Sequence, residues 1–261
     1  MFKKLAIAAF CVALISIAGL RYMTTTSQDG QTLTLGTMSG WPPFVQLATD
    51  GSYEGFDIDI ANIIAQRLGK KLVIKDMDTA MLISALNQGQ VDFLMTGLDI
   101  TPERLQQITM IPYQGEPITS YPLIFFKEIP EGIETLADLK KLPNAILCVE
   151  AGSSQEEILR GYEGFEIKQV DPLVSLLELK NGRATATLLD EKMFKSLQQK
   201  EPNLKAKMVP LRPEEVILGC GIGIKKENAD LIAKITAIID DLKKTGLLKK
   251  LEQRWIAKEP S

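Results

Sequence analysis

Two rhythms of apolar residues take turns along this chain, and their alternation is what most restricts its fold. TLTLGT at 32–37 puts an apolar side chain at every second position, as a strand with one face on a core requires. Trp41-Pro42-Pro43 makes a corner that no helix can continue, and Asp50-Gly51 supplies a turn. From Asp57 to Leu68 the apolar residues Ile60, Ile63, Ile64 and Leu68 share one helix face, and Gly69 is a natural stop. A strand at 72–75, a helix over 80–87 ended by Gly89, the strand VDFLM and a helix opened by Thr101-Pro102-Glu103 follow.

After the long strand YPLIFF the alternation begins again. It runs through a helix near 136–139, strand AILCV, a helix over 155–160, strand EIKQV, a helix from Asp171-Pro172 to Asn181-Gly182, strand ATATLL and a helix over 191–199. The chain closes with strand-like EEVILGCGIGI, a helix over 228–244, Gly246 and a short helix ending at Trp255. Strands that alternate with helices build helix-covered sheets, so the fold class is α/β. Two sets of about 80 to 100 residues suit two five-stranded lobes better than one barrel. The closing segment is placed to return and complete the first lobe.

Lys3 and Lys4 precede an apolar stretch from Leu5 to Ile15 that resumes after Ser16 and stops at Arg21. The charged start, the short apolar run and the small residues Ser16 and Ala18 predict a signal peptide over 1–18, followed by a polar linker over 19–31. An uncleaved membrane anchor is the alternative. Cys11 lies within the apolar run behind Phe10, too near the start for lipid attachment. Export puts Cys148 and Cys220 in an oxidising compartment, where pairing is chemically allowed. Their apolar settings, ILCV and ILGCGIGI, favour two buried thiols.

Composition enters through what it excludes. Thirty basic and 33 acidic residues leave a net charge of -3, with no excess to neutralise a run of phosphates, so nucleic acid is not an expected partner. The histidine count is 0, which removes Ser/His/Asp and Cys/His triads and histidine-based zinc sites. No cofactor and no metal is expected.

Three segments carry candidate chemistry. In MTGLDITPER a strand ends in small residues and feeds a helix bearing Arg104, at the kind of strand end where open α/β sheets bind ligands. A guanidinium there grips a carboxylate through two parallel hydrogen bonds, with backbone amides near Gly97 as further donors; the plain alternative is a surface arginine. VEAGSSQEEIL leaves a strand through Gly152 into a helix that Ser153 or Ser154 caps, a common pattern that needs no ligand. In GRATATLLDEKMF, Asp190 sits just past a strand end, either as an acceptor for an ammonium group or as an ordinary helix cap. One cation with amide donors and one anion form the complement of a zwitterion. Trp41, at its proline corner, adds an apolar wall or packs structurally.

In order, WPPF, EGFDIDIANIIAQRLG, SALNQGQVDF, TGLDITPERLQQ, VEAGSSQEE, NGRATATLLDE and LKKTGLLKKLEQRW resemble the polar amino-acid solute-binding proteins of bacterial ABC importers, family 3 of the extracellular solute-binding proteins, over about residues 32–256. Within it the sequence looks most like arginine-binding periplasmic proteins. The resemblance implies a two-lobed periplasmic binding protein fold (type II), with lobes joined by two crossing strands. Lobe I then spans 32–117 and 217–261 and lobe II 118–216, with the ligand in the cleft between them. It implies a monomer that passes its amino acid to a membrane permease, touching the membrane only through that permease or an uncleaved anchor.

Carried over by position, the resemblance makes Arg104 the carboxylate-binding arginine, supported by Ser154, and Asp190 the acid for the α-ammonium. Gly97 is where backbone meets ligand, Trp41 the aromatic wall and Thr96 a lining position. The sequence departs from the family pattern at Asp99, where Ser or Thr is usual, at Met38, where several basic-amino-acid binders have an acid, and around 77–81, where an aromatic is absent. Asp99 therefore meets the ammonium beside Asp190 or faces the ligand side chain. Glu54, Asp78, Gln114 and Glu116 are candidate partners for a ligand guanidinium or plain loop residues. The expected function is capture of L-arginine by hinge closure. The alternatives are a cyclohexadienyl-type dehydratase on the same fold, with Glu116 or Asp99 in proton transfer, and a sensory binding module.

Overall fold

The computed structural model describes residues 31–256; the predicted signal peptide and nearly all of the linker lie outside them. In chain order the first elements are β1 (Thr32–Thr37), β2 (Gln46–Leu47), β3 (Tyr53–Glu54), α1 (Phe56–Arg67), β4 (Lys71–Asp76), α2 (Thr79–Asn87), β5 (Phe93–Leu94), α3 (Pro102–Gln107) and β6 (Thr109–Gln114). Then come β7 (Ser120–Phe126), a 3-10 turn over Leu136–Lys141, β8 (Ile146–Val149), α4 (Ser154–Leu159), β9 (Glu166–Gln169), α5 (Pro172–Lys180), β10 (Ala186–Leu188), α6 (Glu191–Lys200) and β11 (Leu204–Pro210). The chain continues through β12 (Cys220–Ile224), α7 (Ala229–Lys244) and α8 (Leu247–Trp255).

These strands form two five-stranded sheets, ordered β4-β1-β5-β12-β6 and β11-β7-β10-β8-β9, beside the small β2-β3 hairpin. In the first sheet β1 runs parallel to β4 and β5, while β12 is antiparallel to β5 and β6. In the second, β8 runs parallel to β9 and β10, and β7 pairs antiparallel with β10 and β11. The chain crosses between the sheets twice, where Ile118 and Ile217 exchange backbone hydrogen bonds at 2.8 and 3.2 Å. Two lobes joined by two crossing segments follow from this connectivity.

The closing segment returns to the first sheet. Asn228 caps α7 by accepting from the Leu231 amide at 3.2 Å. The helix buries Leu231, Ile235, Ile238, Ile239 and Leu242, a single stripe at helical spacing, against the core that Leu33, Leu35, Phe56, Ile60 and Ile64 also build. Each such fully buried side chain contributes about 1.5 to 3 kcal/mol. Trp255 fixes α8 to α1 by donating from Nε1 to Asp59 Oδ2 at 2.7 Å. The second lobe has its own core of Tyr121, Leu123, Phe125, Leu136, Leu147 and Leu188 around β7, β8 and β10.

The alternating elements stand where the apolar rhythm puts them, but two strands of the five-stranded sheets, besides the short β2 and β3, carry no such signal. TMIPYQ became β6 and LKAKMVP became β11, each at the edge of its sheet. Edge strands tolerate Pro112 and exposed lysines because one side has no ladder to complete. The helix expected near 136–139 is a 3-10 turn, closed at Thr135 by a reciprocal cap with Asp138.

Candidate functional site

Three strand ends converge between the lobes. The loop after β5 carries Thr96, Gly97 and Asp99 into α3, the loop after β8 carries Glu150 to Ser153 into α4, and Asp190 follows β10. Parallel strands of both sheets thus point their carboxyl ends at one cleft, where α/β folds hold ligands.

Arg104 enters from α3. Its cap is set by Thr101, whose hydroxyl accepts from the Arg104 amide at 3.2 Å, and its side chain is only 3 % exposed. Nη1 donates to Asp99 O at 3.0 Å within the same lobe. Nε donates to Glu157 Oε1 at 2.8 Å and Nη2 to Gly152 O at 2.9 Å, both across the cleft. Ser154, from the second lobe, donates to Asp99 in a short hydrogen bond, and Tyr121 Oη donates to the same carboxylate at 3.4 Å. Burial pushes the Asp99 carboxyl above the usual range, against the opposing pull of Arg104 and Ser154 and with help from the charge of nearby Asp190. Tyr121 is raised well above its ordinary value by burial and by the charge of Asp99.

Gly97 has φ +61°, and a Cβ there would lie 2.9 Å from the Phe44 ring. Its amide is held by Asp57, fully buried at the start of α1, which accepts from Gly97 N at 2.6 Å and from Tyr113 Oη at 2.7 Å. Burial raises Asp57 to about 7 despite those two donors. Thr96 is 5 % exposed and donates from Oγ1 to Met38 O at 3.1 Å.

Other expected residues sit differently. The Ser153 hydroxyl accepts from the Glu156 amide at 3.1 Å and donates to Glu150 O at 2.7 Å, so it is engaged as a helix cap. Asp190 caps α6 by accepting from Met193 N at 2.8 Å. Trp41 is half-buried and shares backbone hydrogen bonds with Val45. Glu54 accepts from Gln46 Nε2 at 2.7 Å in the hairpin, and Gln114 ends β6 opposite Cys220. Neither is joined by a hydrogen bond to the Arg104–Asp99 group. Asp78 and Glu116 are exposed. Cys148 lies in the second sheet and Cys220 in the first, both buried, and burial raises the Cys148 thiol.

Sequence reasoning missed Asp57, Tyr121, Glu150 and Glu157. Tyr121 read as one more apolar residue of YPLIFF, and Glu157 as a first-turn acid of α4. Thr79 Oγ1 donates to Glu150 Oε1 at 2.9 Å, a further bond between the lobes. Burial raises Glu150, with the charges of Asp171 and Asp78 adding to the effect.

Residues 33–258 match the profile of the bacterial extracellular solute-binding proteins, family 3. The chain belongs to this family. It is accordingly an extracytoplasmic solute-binding protein that serves amino-acid import by an ABC transporter, and not an enzyme. It is 32 % identical over 222 residues to the probable ABC transporter arginine-binding protein ArtJ of Chlamydia trachomatis serovar D, covering 85 % of this chain and 84 % of that one. Its fold is similar to that of a mutant ArgBP from T. maritima, with a TM-score of 0.73 and 29 % identity over 87 % of this chain and 96 % of the other. It also resembles an ancestral amino-acid-binding protein described as a precursor of cyclohexadienyl dehydratase, with a TM-score of 0.70 and 26 % identity over 90 % and 99 % of the two chains.

Proposed function

We propose that this family member captures L-arginine between its lobes and, closed over it, docks on an ABC permease as a periplasmic monomer freed of residues 1–18. The observation that carries the reading is one buried guanidinium, Arg104, enclosed with the carboxyl of Asp99 in a cleft that also feels the charge of Asp190. Nη2 of Arg104 spends one N–H on Gly152 O and keeps a second, which with Nε–H, now engaged by Glu157, forms the parallel pair that grips the two oxygens of an α-carboxylate. Asp190 and Asp99 take the α-ammonium, and Ser154 steadies the carboxylate end. Trp41, Thr96 and Gly97 line the first-lobe wall.

Acids outnumber bases around the cleft. Glu150, Glu157 and Asp99 face Arg104 there, with Asp78 and Asp171 acting on Glu150 from the rim. Their combined field favours a ligand with a second positive charge, which supports arginine over a neutral amino acid. Glu54 and Gln114 are outer partners for the side-chain guanidinium if the cleft closes further on its ligand. The similarity to the probable arginine-binding protein of Chlamydia trachomatis and to ArgBP from T. maritima supports arginine.

A thermal-shift panel of the twenty amino acids tests this. A ligand at a hundred times its Kd stabilises the folded form by about 2.7 kcal/mol, which raises Tm by about 5 to 10 °C in a protein of this size. L-arginine should give the largest rise. A larger rise with another amino acid overturns the choice of ligand, and no rise with any of the twenty overturns amino-acid capture.

A further inference from the structure

Arg104 belongs to the first lobe, yet two of the three hydrogen bonds its guanidinium makes among the described residues reach the second, to Glu157 and to Gly152 O. The ion pair with Glu157 is well shielded, with side-chain exposures of 3 % and 14 %. The carboxylate is incompletely satisfied, since Glu157 Oε2 is buried with no hydrogen-bond partner among the described residues. The lobes are also joined near this point by Thr79 to Glu150, by Ser154 and Tyr121 to Asp99, and by the approach of Gly152 to the Ala80 backbone. A protein carboxylate therefore holds the guanidinium assigned above to the ligand's carboxylate.

We infer that Glu157 is an internal rival of the ligand: it latches the empty protein closed through Arg104, and an incoming α-carboxylate must displace it. The inference rests on the reading of Arg104 as the carboxylate-binding group. Like charges do not share one guanidinium face without cost, so the Glu157 carboxylate weakens capture while it favours closure without ligand. The orphaned Oε2 makes the latch an imperfect bond, as a displaceable one needs to be.

Glu157→Gln keeps the shape and removes the charge, and Glu103→Gln, in the exposed first turn of α3, removes an equal charge outside the latch. Small-angle scattering of ligand-free protein should show wild type and Glu103→Gln equally compact and Glu157→Gln expanded. Calorimetry with L-arginine should show Glu157→Gln binding at least threefold tighter than wild type, with Glu103→Gln unchanged. Identical scattering of wild type and Glu157→Gln overturns the inference, as does L-arginine binding that is unchanged or weaker in Glu157→Gln. Scattering that depends on Glu157 in a protein that fails to bind L-arginine upholds the latch and removes the arginine reading instead.

Discussion

One methyl group at Gly152 should keep the lobes from closing. Gly152 lies in the second lobe at φ +75°, and a Cβ built on it falls 2.6 Å from Ala80 Cα, 2.7 Å from Ala80 N and 3.1 Å from Ala80 Cβ. These atoms belong to the first turn of α2 in the first lobe and do not swing aside. Carbon contacts settle at about 3.5 to 4.0 Å, so closure would stop roughly 1 Å short. The Thr79–Glu150 bond and the bond from Arg104 Nη2 to Gly152 O, each now 2.9 Å, would then lie beyond hydrogen-bonding reach. Hydrogen bonds to charged groups contribute about 1.5 to 3 kcal/mol each. Water entering the parted cleft recovers a share of that, which leaves a cost to closure of about 2 to 4 kcal/mol. At 1.4 kcal/mol per tenfold, L-arginine should bind Gly152→Ala about thirty- to a thousandfold more weakly. The open form pays only for a left-handed alanine, about 1 to 2 kcal/mol, or a few degrees of Tm. Calorimetry and a melting curve on the same sample separate the two effects. Affinity within threefold of wild type would refute the view that this contact limits closure.

Arg104→Ala removes one partner of a buried charge pair, a loss of about 2 to 5 kcal/mol, so L-arginine should bind at least thirtyfold more weakly by calorimetry. Folding should survive, because cleft opening returns Glu157 to water and each lobe keeps its own core. Asp57 gives a pH signature. Its carboxyl is raised from 3.8 to about 7, so between those values the folded chain binds more protons than the unfolded one. Its contribution to stability is full below pH 4 and is lost as pH rises through 7, up to about 4 kcal/mol in all. Urea unfolding at pH 4 and 8 should show a smaller fall for Asp57→Asn than for wild type, and equal falls would discard the assignment. Gly97→Ala sets a Cβ against the Phe44 ring at positive φ and should lower Tm by several degrees.

What the sequence disclosed depended on periodicity. Strands that alternate apolar and polar residues and helices with one buried stripe announce themselves, which is why β1, α1 and α7 are readable. β11, with Lys205 and Lys207 on an exposed edge, is not. Arg104 and Asp190 stood out as candidates because small residues and capped helices mark where a sheet stops. Glu157 and Glu150 were not, since their meaning lies in what faces them from the other lobe, and no local pattern records a partner more than fifty residues away.

The charges in the cleft constrain how it works. A guanidinium that is 3 % exposed needs a partner in any closed state, with or without ligand. In this structure Glu157 and two carbonyls supply it, at the expense of gathering Glu157, Asp99 and Glu150 into one poorly hydrated space. An amino acid with a cationic side chain brings one negative and two positive charges to that space. Its carboxylate replaces Glu157 at Arg104, and its two cations answer the surplus of acids, the released Glu157 included. A neutral amino acid offers the first exchange without the second. Selectivity for a basic ligand would then arise from the excess of half-buried acids as a group, so neutralising any one of Asp99, Glu150 or Glu157 should narrow the preference for L-arginine over L-glutamine, read as the ratio of their Kd values. A ratio unchanged in Asp99→Asn, Glu150→Gln and Glu157→Gln alike would place selectivity in shape rather than charge.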